Sequence, residues 1–194
     1  MATVVVPFRS GGKSRLPAEL RTEVALAMLG DVLEAASATG GHVRLVTDDV
    51  AAMRVAGELG VEVVTDPGGG QGPAVCAALA GVDGVCLVVN ADLPRVRPSD
   101  LAALAIPPRA GAVALAAARD GTTNALGLPF AEVFQPLFGA GSAAQFRAHA
   151  AALGLVLHDV DLPNLRDDVD TPEDLERLAG RGGSRTRALA PLRV

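Results

Sequence analysis

Short runs of valine, leucine and other strand-forming residues alternate along this chain with longer alanine-rich stretches. The runs predict strands over residues 3–6, 43–47, 61–65, 85–90, 112–116 and 155–160. The stretches predict a helix of about twenty residues after the first strand, and others over 50–59, 73–80, 98–104, 142–153 and 172–178. Because the strands are apolar on both faces, we expect a three-layer α/β fold, a mostly parallel sheet with helices on both sides.

The length of the chain indicates how many domains it has, and its charge indicates which partners it can bind. The 194 residues fit one domain, which we place over 1–180, and the Arg-rich residues 181–194 are expected to be a disordered tail. Without that tail the chain has thirteen basic and 22 acidic residues, which argues against nucleic acid as a partner. No apolar run reaches the roughly 18 residues of a membrane span, and no targeting segment is visible, so we expect a cytoplasmic protein without a membrane partner.

Polar clusters follow the first four predicted strands. They cover residues 9–15, 47–49, 66–72 and 90–92. The carboxyl ends of parallel strands share one rim, and ligands of open α/β sheets bind there. Separate segments therefore converge on one predicted ligand site.

The loop after the first strand contains Lys13, the only lysine among 17 basic residues. Its Gly12-Lys13-Ser14 sequence suggests a P-loop, but that pattern requires glycine where Pro7 stands, so a P-loop is disfavoured. A glycine-rich loop with several cations between a strand and a helix still suits a polyphosphate. The alternative is a flexible basic loop.

The loop after the third strand carries four glycines between Asp66 and Pro73. It does not match the dinucleotide pattern, because the third glycine of that pattern falls on Pro73. Glycines here would let the backbone approach a flat base, although a plain turn is the alternative. From their places at the strand ends, we expect a nucleotide to contact Arg9, Gly12, Lys13, Thr47, Asp48, Gly69 and Gly70.

Three aspartates form the predicted metal site. Asp92 follows the most apolar strand, where a carboxylate is well placed to bind a divalent cation. The alternative is that Asp92 has a structural role and stabilises a turn. Asp168 and Asp170 are two residues apart and would point the same way in an extended segment. The acids that follow are explained by a capping box at Thr171 and Asp174.

Two further segments offer groups for a second anion. Gly139-Ala140-Gly141-Ser142 precedes a predicted helix, where free backbone N–H groups and a hydroxyl can bind a phosphate or carboxylate. Thr122 and Thr123 offer hydroxyl donors for the same anion. Each signal is weak alone, since a serine at a helix start is ordinary.

Together these motifs resemble the guanylyltransferases of coenzyme F-420 biosynthesis, which join GMP to 2-phospho-L-lactate or phosphoenolpyruvate. The resemblance covers about residues 3–178 and is carried by the motifs at 12–16, 90–94, 120–126, 138–142 and 168–175. The family's glycine-rich loop commonly continues Leu-Asn-Ala, where this chain reads Gln71-Gly72-Pro73.

The resemblance implies a nucleotide-diphospho-sugar transferase (Rossmann-like) fold and Mg²⁺-dependent transfer of GMP from GTP. It implies that Lys13 and Arg15 contact the triphosphate, that Asp92, Asp168 and Asp170 bind Mg²⁺, and that Thr123, Gly139 and Ser142 contact the acceptor. It also implies a transient hand-off of product to the next transferase of the pathway. Two alternatives stay open: a related enzyme with a sugar phosphate or molybdopterin acceptor, and a non-catalytic nucleotide-binding protein.

Overall fold

Seven strands form one sheet within residues 1–9, 18–178 and 180–189, the part of the chain that the computed structural model describes, without the side chains of residues 18–20 and 172. The strands are β1 (Thr3–Pro7), β2 (His42–Thr47), β3 (Glu62–Thr65), β4 (Cys86–Val89), β5 (Val113–Ala117), β6 (Thr123–Leu128) and β7 (Leu157–Asp159). Their order across the sheet is β3-β2-β1-β4-β6-β5-β7. All neighbouring pairs are parallel except the two that β6 makes, with β4 and with β5.

Helices cover both faces of this sheet, which confirms the three-layer α/β prediction. They are α1 (Ala18–Ser37), α2 (Val50–Glu58), α3 (Gln71–Leu79), α4 (Pro98–Leu104), α5 (Ile106–Arg109), α6 (Ser142–Ala152), α7 (Pro163–Arg166), α8 (Pro172–Leu178) and α9 (Ser184–Ala188), with a short 3-10 helix at Ala131–Val133. In the described ranges, none of these helices has the length and apolar character that crossing a bilayer requires.

The apolar residues of each strand are divided between two cores. Val4 and Val6 of β1 pack into a cluster with α1, α2 and α4, whereas Val5 packs on the opposite face with α3 and α6. This division follows from the two-residue period of a strand, and it explains why the strands need apolar residues at consecutive positions.

Six of the seven strands and the six predicted helices are confirmed, with ends that shift by up to two residues. Within α1, Val24, Met28 and Val32 recur every four residues and are all buried, so they form an apolar face of this helix. Strand β6 was not predicted. Its Asn124 and Gly127 are unfavourable in strands and weaken the sequence signal of this buried strand.

The prediction of a disordered tail from residue 181 is wrong for residues 181–189. Helix α9 packs against α1, and buried Asp31 accepts hydrogen bonds from the backbone nitrogens of Arg185 at 2.9 Å and Thr186 at 3.0 Å. The Arg185 side chain bonds to Glu34 at 2.8 Å. The Arg185 guanidinium therefore has acidic partners within the fold. The residues before 181 can provide them because they contain more acidic than basic side chains.

Candidate active site

One rim of the sheet gathers the polar clusters that the sequence analysis singled out. The strands β1 to β4 are parallel, so the segments after their carboxyl ends lie at the same edge. Strand β6 runs the other way, and its first residues therefore lie at this edge too. Asn90, just after β4, donates from its backbone nitrogen to Asn124 O at 2.9 Å and from its side chain to Thr123 O at 3.1 Å.

Three aspartates meet at the centre of this rim. Asp92 lies in the loop after β4, whereas Asp168 and Asp170 lie between α7 and α8. The Val169 backbone nitrogen donates to Asp92 O at 3.2 Å and joins the two segments. One carboxylate oxygen from each aspartate lies within 4.8 Å of the others. The structure thus brings together the three residues predicted as metal ligands.

The electrostatics of this cluster fit a divalent cation. The pKa of Asp168 rises to about 6, because the carboxyl is largely buried and because Asp92 and Asp170 place negative charge beside it. The buried Asn124 side chain holds it, with Nδ2 at 3.2 Å from Arg166 O and 3.5 Å from Asp168 Oδ1. Crowded carboxylate oxygens are the ligands that Mg²⁺ prefers, and a bound cation would relieve their repulsion.

The described capping residues confirm the predicted start of α8. Asp174 N donates to Thr171 Oγ1 at 3.2 Å, and Thr171 N donates to Asp174 Oδ2 at 2.8 Å. Asp174 also accepts from the backbone nitrogen of Asp170 at 3.0 Å and pairs with Arg177. The capping box therefore accounts for Asp174 and fixes the backbone next to the metal-binding candidates.

A cleft of about 260 Å³ extends from the aspartates toward the loops after β1 and β3. Its wall includes apolar Phe8 and Met28 together with Gln71 and Asn90, and Asp92 and Asp170 lie at its edge. Gln71 Nε2 donates to Asn90 Oδ1 at 2.7 Å. The cleft therefore offers an apolar wall and fixed amide groups beside the acidic cluster, a combination that suits a nucleotide.

Arg9 and Asp66 form a paired group in the same cleft. Arg9 Nε donates to Asp66 Oδ2 at 2.6 Å, and Nη2 donates to Oδ1 at 3.0 Å. The Asp66 side chain is 1% exposed, and the Arg9 guanidinium holds the pKa of that carboxyl below its usual range. Asp66 was visible in sequence only as the residue after the third strand. In this structure it orients Arg9, which was predicted to contact the nucleotide.

Thr47 and Asp48, also predicted to contact the nucleotide, differ in their surroundings. Thr47 is buried, and its hydroxyl accepts a hydrogen bond from Asp49 N at 3.1 Å, so it supports the start of α2. Asp48 is exposed at the rim, and its charge contributes to raising the pKa of Arg9, after the contribution of Asp66. Of the two, Asp48 is the more accessible to a ligand.

The glycine-rich loop after β3 has the left-handed backbone that its composition predicts. The φ angles are 86° at Gly68, 83° at Gly69 and 112° at Gly70. At Gly70 an added Cβ would meet nothing within 4 Å, so the need for glycine there comes from the backbone angle. Gly72 has a different reason, because an added Cβ would overlap Pro136.

The three predicted acceptor residues lie on neighbouring segments, but two of them are inaccessible. Ser142 and Thr123 are buried, and Ser142 Oγ donates to Thr123 Oγ1 at 3.0 Å. Gly139 is exposed, with a φ of 129°. The hydroxyl pair thus fixes the loop before α6 against β6, and Gly139 alone of the three presents its surface to solvent.

Asp168 and Asp170 also line a second cavity of about 550 Å³. Arg95, Arg119 and Asp167 line it, and the sequence analysis named none of them as site residues. Asp167 accepts from Arg119 Nε at 2.8 Å and from Arg95 Nη1 at 3.3 Å. Its pKa falls below the usual range, because these hydrogen bonds and nearby guanidinium charges outweigh the effect of burial. These residues are far apart in the sequence, and their spacing does not predict that they contact one another.

Gly12, Lys13 and Arg15 lie outside the described residues. Their predicted contacts with a triphosphate therefore stay predictions.

The sequence of this chain matches a known family over almost its whole length. The model of the family described as "Guanylyl transferase CofC like" matches residues 2–193. A phosphoenolpyruvate guanylyltransferase of Salinispora arenicola is 41% identical, with 96% of this chain and 92% of the relative covered. The Roseiflexus castenholzii protein of the same name is 36% identical, with 87% and 80% covered.

A solved structure shows the same fold. The putative nucleotide-diphospho-sugar transferase of Desulfovibrio desulfuricans G20 superposes with a TM-score of 0.80 over 98% of this chain and 94% of that one, at 16% identity. The fold predicted from the family resemblance is therefore confirmed. The family match and the two curated relatives together lead to one assignment: this chain belongs to the guanylyl transferase CofC-like family.

Proposed function

We propose that this protein transfers GMP from GTP to phosphoenolpyruvate and releases pyrophosphate, as a step of coenzyme F-420 biosynthesis. The observation that carries the proposal is the cluster of Asp92, Asp168 and Asp170 between two cavities. A nucleotidyl transfer needs a donor site and an acceptor site that meet where negative charge is neutralised. The names of the curated relatives favour phosphoenolpyruvate over 2-phospho-L-lactate as the acceptor.

The three aspartates fit Mg²⁺ by their chemistry, since they offer only oxygen ligands and their charges repel one another. Bound Mg²⁺ supplies charge neutralisation and orientation of phosphate oxygens. In this proposal Asp92 and Asp170 face the donor cleft, and Asp168 and Asp170 face the second cavity. Asn124 keeps the Asp168 carboxylate in place through its side-chain amide.

The nucleotide occupies the cleft beside the loops after β1 and β3. Gly69 and Gly70 let the backbone approach the base, and Gln71 and Asn90 present amide groups near it. Arg9, oriented by Asp66, and the exposed Asp48 complete this side, while buried Thr47 supports the start of α2 beside them. Gly12, Lys13 and Arg15 are assigned to the triphosphate on the strength of the sequence.

The chemical step is an in-line displacement at the α-phosphorus of GTP. An oxygen of the acceptor phosphate forms the new P–O bond, and the bond from the α-phosphorus to its bridging oxygen breaks and releases pyrophosphate. The acceptor phosphate is already anionic, so no side chain serves as nucleophile. Gly139 and the Thr123–Ser142 pair shape the acceptor side. The reaction draws on the GTP of the cytoplasm, and its product passes to the next transferase of the pathway.

A pyrophosphate-release assay tests this function. GTP, ATP, CTP and UTP are each offered with Mg²⁺ and with phosphoenolpyruvate, 2-phospho-L-lactate, a sugar 1-phosphate or no acceptor. We expect release with GTP and phosphoenolpyruvate that depends on both. Release with a sugar phosphate instead would indicate a different nucleotidyltransferase. Nucleotide binding without release in any combination would indicate a non-catalytic binding protein.

A further inference from the structure

Asp167 directly precedes the two metal-binding candidates between α7 and α8, and it contacts two arginines from other parts of the chain. Its Oδ1 accepts a hydrogen bond from Arg119 Nε at 2.8 Å, and its Oδ2 accepts one from Arg95 Nη1 at 3.3 Å. Arg95 lies in the loop after β4, three residues beyond Asp92, and Arg119 lies in the turn after β5. Asp167 therefore connects the segment that carries Asp168 with the loop that carries Asp92.

The arginines of this region are bonded to acids of the fold. Around the second cavity, the described residues include six acids and four arginines, so the lining is acidic overall and does not favour an anionic ligand. Asp167 accepts hydrogen bonds from Arg95 and Arg119, and Asp174 pairs with Arg177. The contacts of these three arginines therefore help to fix where the acids lie.

The three-aspartate cluster needs contacts that hold its two segments together. One carboxylate oxygen from each aspartate lies within 4.8 Å of the others, and ionised groups at such separations repel one another. The hydrogen bond from Val169 N to Asp92 O, at 3.2 Å, joins the two segments through the backbone. The pair of Arg95 and Asp167 is a further connection between the same segments, and its opposite charges attract.

We propose that Asp167 is a positioning residue for the Mg²⁺ site, which through Arg95 and Arg119 holds the segment between α7 and α8 against the loop after β4. This inference rests on the proposed function and deepens it. Side chains that orient metal ligands from outside commonly change metal affinity by about 10- to 100-fold. The side chains of Arg95 and Asp167 are each 24% exposed, and ion pairs near the surface add little to global stability. The pair should therefore affect cation affinity much more than the stability of the fold.

Binding of Mn²⁺, a paramagnetic substitute for Mg²⁺, tests this role without turnover. Asp167→Asn, Arg95→Gln and Arg119→Gln are compared with the wild type, and free Mn²⁺ is measured by electron paramagnetic resonance. Each variant should raise the Kd for Mn²⁺, by about 10-fold or more for Asp167→Asn, because the aspartate ligands are no longer held together. The melting temperature of each variant in EDTA should shift by no more than about 4 °C.

The sign of the effect in Arg95→Gln separates positioning from charge. Loss of a positive charge near the aspartates would by itself strengthen cation binding, because the site becomes more negative. Loss of a contact that positions the aspartates weakens cation binding instead. A raised Kd for Mn²⁺ in Arg95→Gln therefore supports the inference, and an unchanged or lowered Kd in this variant would overturn it.

A double variant and a distant pair serve as controls. If Arg95 acts through Asp167, the combination of Arg95→Gln with Asp167→Asn should raise the Kd no more than Asp167→Asn alone, since both changes break the same contact. Arg147→Gln removes an arginine that pairs with Asp159 and lines neither cavity, and it should leave the Kd unchanged. Fully additive losses in the double variant, or an equal loss in Arg147→Gln, would contradict the inference.

The cation measurement also separates this inference from the proposed function. Weaker Mn²⁺ binding in Asp167→Asn and Arg95→Gln supports the inference even if the wild type releases no pyrophosphate. Pyrophosphate release by the wild type, together with equal Mn²⁺ affinity in all variants, removes the inference and leaves the function. Wild-type protein that neither binds Mn²⁺ nor releases pyrophosphate would overturn both.

Discussion

At the scale of single residues, the crowding of Asp92, Asp168 and Asp170 is the feature with the clearest energetic consequence. Three ionised carboxylates whose oxygens lie within 4.8 Å repel one another, and burial of Asp168 adds to the cost of ionisation. Proteins retain such clusters where a cation or a substrate offsets the repulsion. Repulsion within the cluster therefore lowers the stability of the unliganded fold, and the same repulsion favours the binding of a cation.

Asp168→Asn tests whether the charge of Asp168 destabilises the fold when no cation is bound. The pKa of Asp168 rises from an ordinary 3.8 to about 6 in the fold, so the stability that its protonated form provides is lost as the pH rises through about 6. In EDTA, the melting temperature of the variant should exceed that of the wild type by a margin that grows between about pH 4 and pH 7. Saturating Mg²⁺ should reverse the order at neutral pH. A margin independent of pH would contradict the account.

Lys13→Ala tests the residue that the sequence made most conspicuous. By analogy with other phosphoryl transfers, loss of one such cation should lower kcat by on the order of a thousandfold. The melting temperature and the circular dichroism spectrum should stay those of the wild type, and Arg147→Ala serves as the control for loss of a basic residue. Near-normal turnover in Lys13→Ala would remove Lys13 from the mechanism.

The meeting of the three aspartates was predictable from sequence patterns, for a physical reason. Asp92 directly follows a buried strand, and Asp168 and Asp170 share one face of an extended segment, so their meeting could be inferred from local geometry. The pairing of Thr123 with Ser142 joins residues nineteen positions apart, and the pairing of Arg95 and Arg119 with Asp167 spans longer separations. The periodic patterns of helices and strands extend over a few residues and cannot predict contacts between residues so far apart in the sequence.

At the scale of elements, β6 shows how packing overrides strand propensity. Its residues Thr123–Leu128 are all buried between β4 and β5. An added Cβ at Gly127 would lie 2.8 Å from Leu104 O, so the glycine that weakened the strand signal is required for the approach of α4. Because β6 is antiparallel, its start rather than its end reaches the site, which the rule for parallel strand ends does not anticipate.

The contact of Gly72 with Pro136 links two loops of the site. Gly72 lies in the first turn of α3, after the glycine-rich loop, and Pro136 lies in the segment that leads to Gly139. Since an added Cβ at Gly72 would overlap Pro136, the two segments can approach only with glycine at this position. This gives a structural reason for one departure from the Leu-Asn-Ala sequence common in the family.

Gly72→Ala should therefore displace the segment around Pro136. We expect a loss of about 1–3 kcal/mol in the free energy of unfolding, the usual cost of overpacking, and a higher KM for the acceptor. Gly57→Ala is the matched control, because Gly57 lies in α2 and an added Cβ there meets nothing within 4 Å. That control should be neutral or stabilise by up to about 1 kcal/mol. Equal denaturant midpoints for the two variants would contradict this account.

At the scale of the whole molecule, the C-terminal segment ties distant parts of the site together. Asp31 of α1 caps α9 with two backbone hydrogen bonds, and Gly183 N donates to Pro94 O at 2.7 Å. Helix α1 follows the loop of Lys13, and Pro94 follows Asp92 by two residues. The segment thus connects the helix after the predicted triphosphate loop with the loop of a metal-binding candidate.

Composition alone predicted disorder for this segment, because a glycine- and arginine-rich end carries no apolar period. Its acidic partners, Asp31, Glu34 and Glu58, lie about 125 to 155 residues earlier in the chain. The order of residues 181–189 therefore depends on long-range hydrogen bonds to Asp31 and ion pairs with Glu34 and Glu58, which no window of the sequence displays. The layer architecture was predictable for the opposite reason, since each strand and helix carries its own apolar pattern.

Asp31→Asn tests the docking of this segment. Asp31 is 4% exposed, and its two carboxylate oxygens accept two backbone hydrogen bonds. Asparagine has a single amide oxygen and can accept only one of them in the same way. We expect a loss of about 2 kcal/mol in the free energy of unfolding by urea. Deletion of residues 181–194 should lower stability at least as much. Glu23→Gln, an exposed change on the same helix, should have no effect. Full stability of the deletion variant would show that the segment contributes nothing.

Mass spectrometry of the reaction product tests the central claim most directly. The protein is incubated with GTP, Mg²⁺ and either phosphoenolpyruvate or 2-phospho-L-lactate, and the mixture is quenched after a short reaction time so that a labile product is still detected. The account predicts an adduct with the mass of phosphoenolpyruvate plus GMP less one water, formed in step with pyrophosphate and absent when Asp92, Asp168 and Asp170 are replaced by asparagine. GTP recovered intact, or hydrolysed without an adduct to either acid, would contradict it.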